Sequence, residues 1–313
     1  MCRNTATIRT SRIPAVKTIR LTYLAIAFWL LTASVAAAVD DITVLHNLSY
    51  SDGVSKSCTL DLAVPTKNSS TPRPAILVIH GGGWLEGDKS SFVSPDHPMP
   101  GNILDFAKLG FVAAAINYRM SREAPFPAAL EDCQSAVRWL RSHSQEYQID
   151  TNHIGAYGNS AGGHLALLLG MIPEQNKGEL SSRVQAAVSD SGPVDLLFQQ
   201  RQNQLRTVIE MFMGGPPEGE REALYRRASP ANYVSDKVAP LLLIYGVVDT
   251  QVDVATADQL VTALGRAGCK DVSYFRLAKV DHCPHSLIRI PYLQPVVEQF
   301  FLRTLKPESQ PSR

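Results

Sequence analysis

The segment HIGAYGNSAGGH, residues 153–164, joins a short apolar run to a helix-like run over Leu165–Leu169. A strand that turns directly into a helix holds the residue at the turn in a strained conformation. The residues beside the turn must then be very small, and the motif here is Gly158-x-Ser160-x-Gly162. This turn lifts the Ser160 hydroxyl clear of the sheet, where an acyl group can reach it. It also places the Ala161 N–H at the start of a helix, where negative charge is stabilised.

A glycine-rich loop, His80-Gly81-Gly82-Gly83-Trp84, follows the predicted strand Ala75–Ile79. Three consecutive glycines let backbone N–H groups turn toward one point without interference from Cβ atoms. Such a loop can instead cradle a phosphate, but neither G-K-[ST] nor G-x-G-x-x-G occurs here. The two motifs together predict that the N–H groups of Gly82, Gly83 and Ala161 hold an oxyanion formed at Ser160.

These motifs resemble those of the α/β-hydrolase superfamily, in the esterase and lipase branch that carries an HGGG oxyanion loop. Within that branch the chain is most similar to small secreted esterases of the carbohydrate-esterase and feruloyl-esterase type. The resemblance rests on Leu60–Pro65, His80–Trp84, Ile116–Arg119, Phe126–Ala129, Trp139–Arg141 and Gly158–Gly163. Two positions depart from the family pattern. Asn159 stands where an acidic residue usually precedes the nucleophile, and Cys283 stands where a glycine usually follows the catalytic histidine.

Strands alternate with helices along the chain, which predicts an α/β fold with a mostly parallel central sheet and helices on both faces. The predicted strands are Asp41–Tyr50, Cys58–Val64, Ala75–Ile79, Phe111–Ile116, Val184–Ser189, Pro240–Gly246 and Val272–Leu277. The predicted helices are Asn102–Leu109, Ala128–Gln145, Ala255–Ala267 and Leu287–Leu305. The resemblance implies the α/β-hydrolase fold. Residues 193–232 have mixed charge and weak periodicity, and they are either a small cap-like insertion or a plain surface excursion.

The N-terminal residues predict export. Residues 1–38 combine a basic start, an apolar stretch over Leu21–Leu31 and the small residues Ala36-Ala37-Ala38, which together predict a signal peptide. An uncleaved N-terminal anchor is the alternative. Cleavage would leave a catalytic domain over residues 39–313 that is secreted or periplasmic, with no stable membrane anchor.

The composition of the chain further limits its possible folds and functions. The chain has 313 residues, 45% of them hydrophobic, which suits one large α/β domain or two small ones. Its formal net charge of +1 gives no bias toward nucleic acid or an anionic membrane. Four cysteines, Cys58, Cys133, Cys269 and Cys283, follow the predicted cleavage site. An exported protein can oxidise them, and the sequence does not choose among the pairings.

A serine hydroxyl needs a histidine to accept its proton and a carboxylate to hold that histidine. In the fold that the chain resembles, the acid and then the histidine follow the serine. Asp249 comes just after the apolar strand Leu241–Tyr245 and is the predicted acid. Asp190, which ends the preceding strand, and Asp253 are its rivals.

Two histidines in Asp281-His282-Cys283-Pro284-His285 compete for the role of base. Both lie within reach of Asp249 along the sequence, so spacing does not decide between them. Alignment on Gly268 and the following strand places His282 where the family has its histidine. His285 falls near the entry to the terminal helix, where a side chain more often caps or packs.

The predicted mechanism is acyl transfer through a serine ester, which needs no metal and no organic cofactor. From the export signal and the resemblance, we expect a serine esterase that hydrolyses short-chain carboxylic esters, with acetyl or feruloyl esters of polysaccharides among its substrates. The alternatives are an amidase or peptidase of the same fold, a non-catalytic binding protein on this fold, and an interfacial lipase. The polar character of residues 193–232 argues against the lipase.

Overall fold

The computed structural model describes residues 41–306, apart from positions 52, 68, 94–99, 174–179, 203, 286 and 288. The predicted signal peptide over residues 1–38 and most of the irregular segment predicted near residues 90–100 therefore lie outside the described residues. The described residues all belong to one compact unit of the chain. Within the part of the chain that is described, no helix is long and apolar enough to cross a membrane.

The described strands form one eight-stranded sheet. They are β1 (Ile42–Ser49), β2 (Thr59–Pro65), β3 (Arg73–Ile79), β4 (Val112–Ile116), β5 (Ile149–Asn159), β6 (Ala186–Asp190), β7 (Leu241–Gly246) and β8 (Val272–Leu277). Their order in the sheet is β1-β2-β4-β3-β5-β6-β7-β8. β1 and β2 pair antiparallel, as do β2 and β4, and all other neighbouring strands are parallel. The predicted mostly parallel sheet is thus confirmed.

Helices cover both faces of the sheet because the central strands are apolar on both sides. In β3, Leu77 and Ile79 belong to one hydrophobic core, whereas Ile76 and Val78 belong to the other, as the two-residue period of a strand requires. The helices are α1 (Ile103–Lys108), α2 (Ala128–Ser142), α3 (Ser144–Tyr147), α4 (Ala161–Met171), α5 (Leu196–Arg201), α6 (Arg206–Met213), α7 (Glu220–Arg227), α8 (Val254–Arg266) and α9 (Leu293–Leu305). The first core takes residues from α2, α4 and α8, and the second takes residues from α1 and α9.

The structure differs from the predictions in two predicted helices and in residues 193–232, for which no helix was predicted. The terminal helix begins at Leu293, not at residue 287, and Pro295 is accommodated because it lies in the first turn, where a backbone N–H has no helical partner. The helix predicted over Ala128–Gln145 ends at Ser142 and is followed by the separate turn α3. Residues 193–232, for which periodicity was weak, contain three helices of six to eight residues, which are too short to produce a clear sequence period.

A buried ion pair anchors the segment that follows the glycine-rich loop. The Lys89 Nζ lies 2.7 Å from Asp61 Oδ1 and 2.8 Å from Asn47 Oδ1. The two charged side chains are only 6% and 4% exposed. Burial alone would raise the pKa of Asp61, but hydrogen bonds from Lys89, from the Asn47 N–H and from His46 outweigh it and hold the pKa below its ordinary value. Because Lys89 opens the 3₁₀ turn Lys89–Phe92, the pair ties the exit of the loop to β1 and β2.

We expect Lys89→Ala to lower the free energy of unfolding by about 3–5 kcal/mol, since it leaves the Asp61 carboxylate buried without its counter-charge. Lys108→Ala is the matched control, because Lys108 pairs with Asp105 across 3.3 Å at the surface and should lose less than about 1 kcal/mol. Urea unfolding of both variants at neutral pH measures the difference. Equal losses would show that the buried pair does not anchor this segment.

Candidate active site

Ser160 occupies the turn between the end of β5 and the start of α4, with φ 50° and ψ −120°. This left-handed conformation is strained for a residue with a side chain. A Cβ atom on Gly158 would lie 2.2 Å from the Gly162 carbonyl oxygen, and one on Gly162 would lie 2.0 Å from the Ile79 carbonyl oxygen. Only glycine fits at these two positions, so the spacing of the motif follows from close backbone contact.

His282 and Asp249 continue a hydrogen-bonded chain from Ser160. The His282 Nε2 lies 2.9 Å from Ser160 Oγ, and its Nδ1 lies 2.8 Å from Asp249 Oδ2. The Asp249 side chain is fully buried. Its Oδ1 accepts hydrogen bonds from the N–H groups of Gln251 and Val252, both at 2.8 Å. With its proton on Nδ1 toward Asp249, the imidazole presents an unprotonated Nε2 to the serine hydroxyl.

The loops that carry the acid and the histidine are clamped together by Asp281. The Asp281 Oδ1 accepts hydrogen bonds from the N–H groups of Thr250 and His282, each at 2.8 Å. These backbone hydrogen bonds lower the pKa of Asp281, so its carboxylate stays ionised. The relative position of Asp249 and His282 is therefore fixed by a contact that involves neither of their side chains.

The rival residues have other roles in the structure. The Asp190 Oδ1 lies 3.4 Å from the backbone N–H of His285, and Asp253 caps α8 by accepting the Ala255 N–H at 2.9 Å. The His285 ring is buried between Tyr157 Oη, 2.8 Å from Nδ1, and Gln294 Oε1, 3.0 Å from Nε2. Since Tyr157 lies in β5, His285 ties the loop that carries the predicted base to the strand that ends at the serine.

Cys283 adopts a left-handed conformation with φ 51°, which accounts for the glycine that the family usually has there. Its N–H donates to Ser191 Oγ at 3.1 Å, and its side chain is buried. The four cysteines whose pairing the sequence left open, Cys58, Cys133, Cys269 and Cys283, are free thiols in the structure.

The glycine-rich loop packs directly against the serine. Gly81 donates its N–H to Asn159 Oδ1 at 3.0 Å, and a Cβ atom on Gly81 would lie 3.2 Å from Ser160 Cβ. Gly82 and Gly83 have φ values of 97° and 61°. Within the described residues, the N–H groups of Gly82, Gly83 and Ala161 have no hydrogen-bond acceptor. Ala161 directly follows Ser160, and Gly82 and Gly83 directly follow Gly81, so unpaired N–H donors at these positions would suit an oxyanion that forms at the serine.

The residues after β6 cover this loop from outside. The Phe212 ring of α6 stacks on Trp84, with ring centroids 4.3 Å apart and planes within 11°. The Val208 Cγ1 lies 2.9 Å from the position that a Cβ atom on Gly83 would take. Val208 therefore stands beside one of the predicted oxyanion donors, a placement that the sequence did not reveal. In the sequence, only the four-residue spacing of Val208 and Phe212, which places both on one helix face, points to this placement.

Residues 193–232 also contact the loop that carries Asp249 and the helix α4 that follows Ser160. The Gln199 Nε2 donates to the Gln251 carbonyl at 2.8 Å, and the His164 Nε2 of α4 lies 2.6 Å from the Ala228 carbonyl oxygen. Sequence analysis identified neither contact, because both join residues far apart in the chain. No cluster of three or more metal-binding side chains occurs among the described residues.

Two buried histidines should make the folded protein less stable in acid. Burial lowers the pKa of both His164 and His285 from 6.5 to about 4. Between these pH values the unfolded chain binds more protons than the folded one. The free energy of unfolding is thus greatest above pH 6.5 and falls as the pH drops toward 4, by up to about 3 kcal/mol for each histidine.

Replacing His285 with glutamine, which does not titrate, tests this linkage. Urea unfolding at pH 7 and pH 4.5 measures how far the free energy of unfolding falls between these two pH values. This fall should be smaller in His285→Gln than in the parent protein by roughly 2 kcal/mol. An unchanged decline would mean that His285 is not held neutral by the fold.

The sequence of the chain matches the BD-FAE family model over residues 60–264. It is 30% identical over 236 residues to the probable carboxylic ester hydrolase LipM of Mycobacterium tuberculosis, across 72% of this chain and 53% of LipM. The chain spans about half the length of the curated relatives it matches.

Solved structures share the architecture described above. A truncated carbohydrate esterase from gut microbiota superposes with a TM-score of 0.71 at 25% identity, covering 86% of this chain and 99% of that one. An esterase from Thermogutta terrifontis, solved with propionate bound, superposes with a TM-score of 0.67 at 26% identity, covering 86% and 97% of the two chains. Since the family model spans well over half of the sequence and these esterase structures superpose on 86% of the chain, the chain belongs to the BD-FAE family and has the α/β-hydrolase fold.

Proposed function

We propose that this protein is a serine esterase that hydrolyses carboxylic esters through Ser160, His282 and Asp249. The observation that carries the proposal is the continuous chain from Ser160 Oγ through the His282 ring to Asp249, at 2.9 and 2.8 Å. The names of the similar proteins, among them a carboxylic ester hydrolase and two esterases, support the same activity.

Each residue has a definite role in the proposed reaction. The His282 Nε2 accepts the Ser160 proton as Oγ attacks the ester carbonyl, and Asp249 stabilises the imidazolium that forms. The N–H groups of Gly82, Gly83 and Ala161 bind the oxyanion of the tetrahedral intermediate. His282 then gives its proton to the leaving alcohol, and it activates the water that releases the acid from Ser160.

Ser160→Ala and His282→Ala should each lower kcat for 4-nitrophenyl acetate by about 10⁴-fold or more, because each removes a member of one catalytic unit. His285→Ala should keep most of the turnover in a folded sample at 25 °C, since that ring packs against Tyr157 and does not face the serine. Circular dichroism establishes that each variant is folded. Loss of turnover in His285→Ala together with retained turnover in His282→Ala would transfer the role of base to His285.

The acyl groups in this proposal are short. Val208 stands next to Gly83, and behind it the stacked Trp84 and Phe212 rings close the space around the predicted oxyanion donors. The Trp84 ring is 1% exposed, so this wall is firmly packed. The similar Thermogutta terrifontis esterase, solved with propionate bound, supports a short acyl chain.

Val208→Ala should raise kcat/KM for 4-nitrophenyl hexanoate relative to the acetate by about tenfold, because it removes two methyl groups beside Gly83. Ile209→Val, on the same helix, is the matched control, since Ile209 is buried in the hydrophobic core. The ratio of hexanoate to acetate should stay unchanged in that variant. A ratio that does not rise in Val208→Ala would place the acyl chain elsewhere.

We further propose that the natural esters are acetyl or feruloyl groups on polysaccharides and that the protein acts outside the cytoplasm. The first part is supported by similarity to carbohydrate esterases, including one joined to a GH43 module in Bacteroides eggerthii. The second is supported by the composition of residues 1–38.

Release of acetate or ferulate from acetylated xylan and feruloylated arabinoxylan measures the first part. N-terminal sequencing of exported protein, with a start near residue 39, measures the second.

A further inference from the structure

A buried glutamine of α5 contacts the loop that carries Asp249. Gln199 is only 2% exposed, and its Nε2 donates to the Gln251 carbonyl oxygen at 2.8 Å. The N–H on the other side of that peptide bond belongs to Val252, and it donates to Asp249 Oδ1, also at 2.8 Å. A trans peptide group is planar and rigid, and its C=O and N–H point in opposite directions. A hydrogen bond that fixes the carbonyl therefore also fixes the direction of the N–H that holds the carboxylate.

The linkage continues from the carboxylate to the serine. The Asp249 Oδ2 lies 2.8 Å from His282 Nδ1, and the His282 Nε2 lies 2.9 Å from Ser160 Oγ. Because the Asp249 side chain is fully buried, hydrogen bonds within the protein orient it, and bulk solvent does not. A rotation of the carboxylate would turn Oδ2 away from the imidazole, and misplacing a catalytic group by about 1 Å can slow a reaction on the order of a hundredfold.

The chemistry of the contact determines which end of the glutamine amide faces the loop. The Gln251 carbonyl only accepts hydrogen bonds, so the amide must present its NH₂ group, since the opposite orientation would bring two acceptor oxygens together. The Gln199 Oε1 is buried and has no hydrogen-bond partner among the described residues. A buried polar atom without a partner disfavours folding. Packing alone therefore does not account for a glutamine at this position.

The helix that carries Gln199 is itself anchored. The Leu196 N–H, at the start of α5, donates to Ser229 Oγ at 2.9 Å. Gln200 joins α5 to α6, because its Nε2 donates to Glu210 Oε1 at 2.8 Å. Two adjacent glutamines thus have different partners. Gln200 binds within residues 193–232, whereas its neighbour reaches across to the acid loop.

We propose that Gln199 is a positioning residue that orients the Asp249 carboxylate through the peptide that follows Gln251. The inference rests on the proposed esterase function and deepens it, because it gives residues 193–232 a role in catalysis besides covering the glycine-rich loop. Within the described part of the chain, Gln199 makes no hydrogen bond to the triad itself, so it acts through the backbone of the acid loop.

The kinetics of Gln199→Met and Gln200→Met with 4-nitrophenyl acetate test this role. Each variant loses one side-chain hydrogen bond of α5 and keeps a long side chain that is compatible with a helix, but only the first releases the acid loop. Acylation and deacylation use the same histidine and acid, so both steps should slow together in Gln199→Met. Its kcat should fall about tenfold while KM stays within about twofold. Gln200→Met is the matched control and should keep kcat within about twofold of the parent value.

Gln199→Glu covers the case in which Gln199→Met fails to fold. Glutamate has the shape of glutamine, but a carboxylate cannot donate to the Gln251 carbonyl, whereas the protonated acid can. Burial raises the pKa of a carboxyl group, so the introduced acid should take up a proton as the pH falls. The ratio of its kcat to that of the parent should therefore be lowest at about pH 8.5 and recover toward about pH 5.5. A side chain that serves only for packing would not produce this pH dependence.

Ser160→Ala, assayed in the same series, separates failure of this inference from failure of the proposed function. If Ser160→Ala is inactive but folded Gln199→Met keeps the parent kcat, or loses no more than Gln200→Met, the positioning role is overturned and the triad stands. A ratio for Gln199→Glu that stays constant between the two pH values would overturn the positioning role as well. Turnover retained in Ser160→Ala would overturn the proposed function, and this inference with it.

Discussion

The structure of the site depends on one backbone constraint, the left-handed conformation of Ser160 between β5 and α4. Such a conformation costs on the order of 1–3 kcal/mol, and it persists only when the surroundings leave the chain no alternative. Those surroundings are contacts too close for any side chain, since Gly158 and Gly162 pack against backbone carbonyls within 2.2 Å of a hypothetical Cβ. The half-buried serine is therefore held at the turn between the buried end of β5 and the start of α4.

A second constraint concerns the loops that surround this turn. The glycine-rich loop is tied to β5 through Asn159 and to β1 and β2 through the Lys89–Asp61 pair. The histidine loop is tied to β5 through His285 and to the acid loop through Asp281. Each tie is a polar contact made by a residue outside the predicted triad. The polar network therefore places the predicted triad within hydrogen-bonding distance without using the catalytic groups themselves.

The sequence predicted the parallel sheet and the helices on its two faces, because apolar strand runs and glycine stops are local signals. It also predicted which serine, acid and histidine would lie together, although two rivals for the acid and one for the base remained. Alignment on Gly268 and the following strand favoured His282 over His285, and the structure adds that His282 Nε2 lies 2.9 Å from Ser160 Oγ whereas the His285 ring packs against Tyr157. The contacts of Val208 and Gln199 were not predictable, because α5 and α6 are too short to show a period and their partners are distant in the chain.

The two departures from the family pattern are Asn159 and Cys283. One position requires a hydrogen-bond acceptor and the other a particular backbone angle, and more than one residue type can supply each. At Asn159 the loop needs an acceptor for the Gly81 N–H, and an amide oxygen provides it as a carboxylate would, without a negative charge beside the predicted oxyanion donors. At Cys283 the loop needs a left-handed conformation, which glycine adopts freely and cysteine adopts at a steric cost. The Ser191 hydroxyl that accepts the Cys283 N–H helps to hold that conformation. Both substitutions therefore preserve the geometry around Ser160 while changing the residue that produces it.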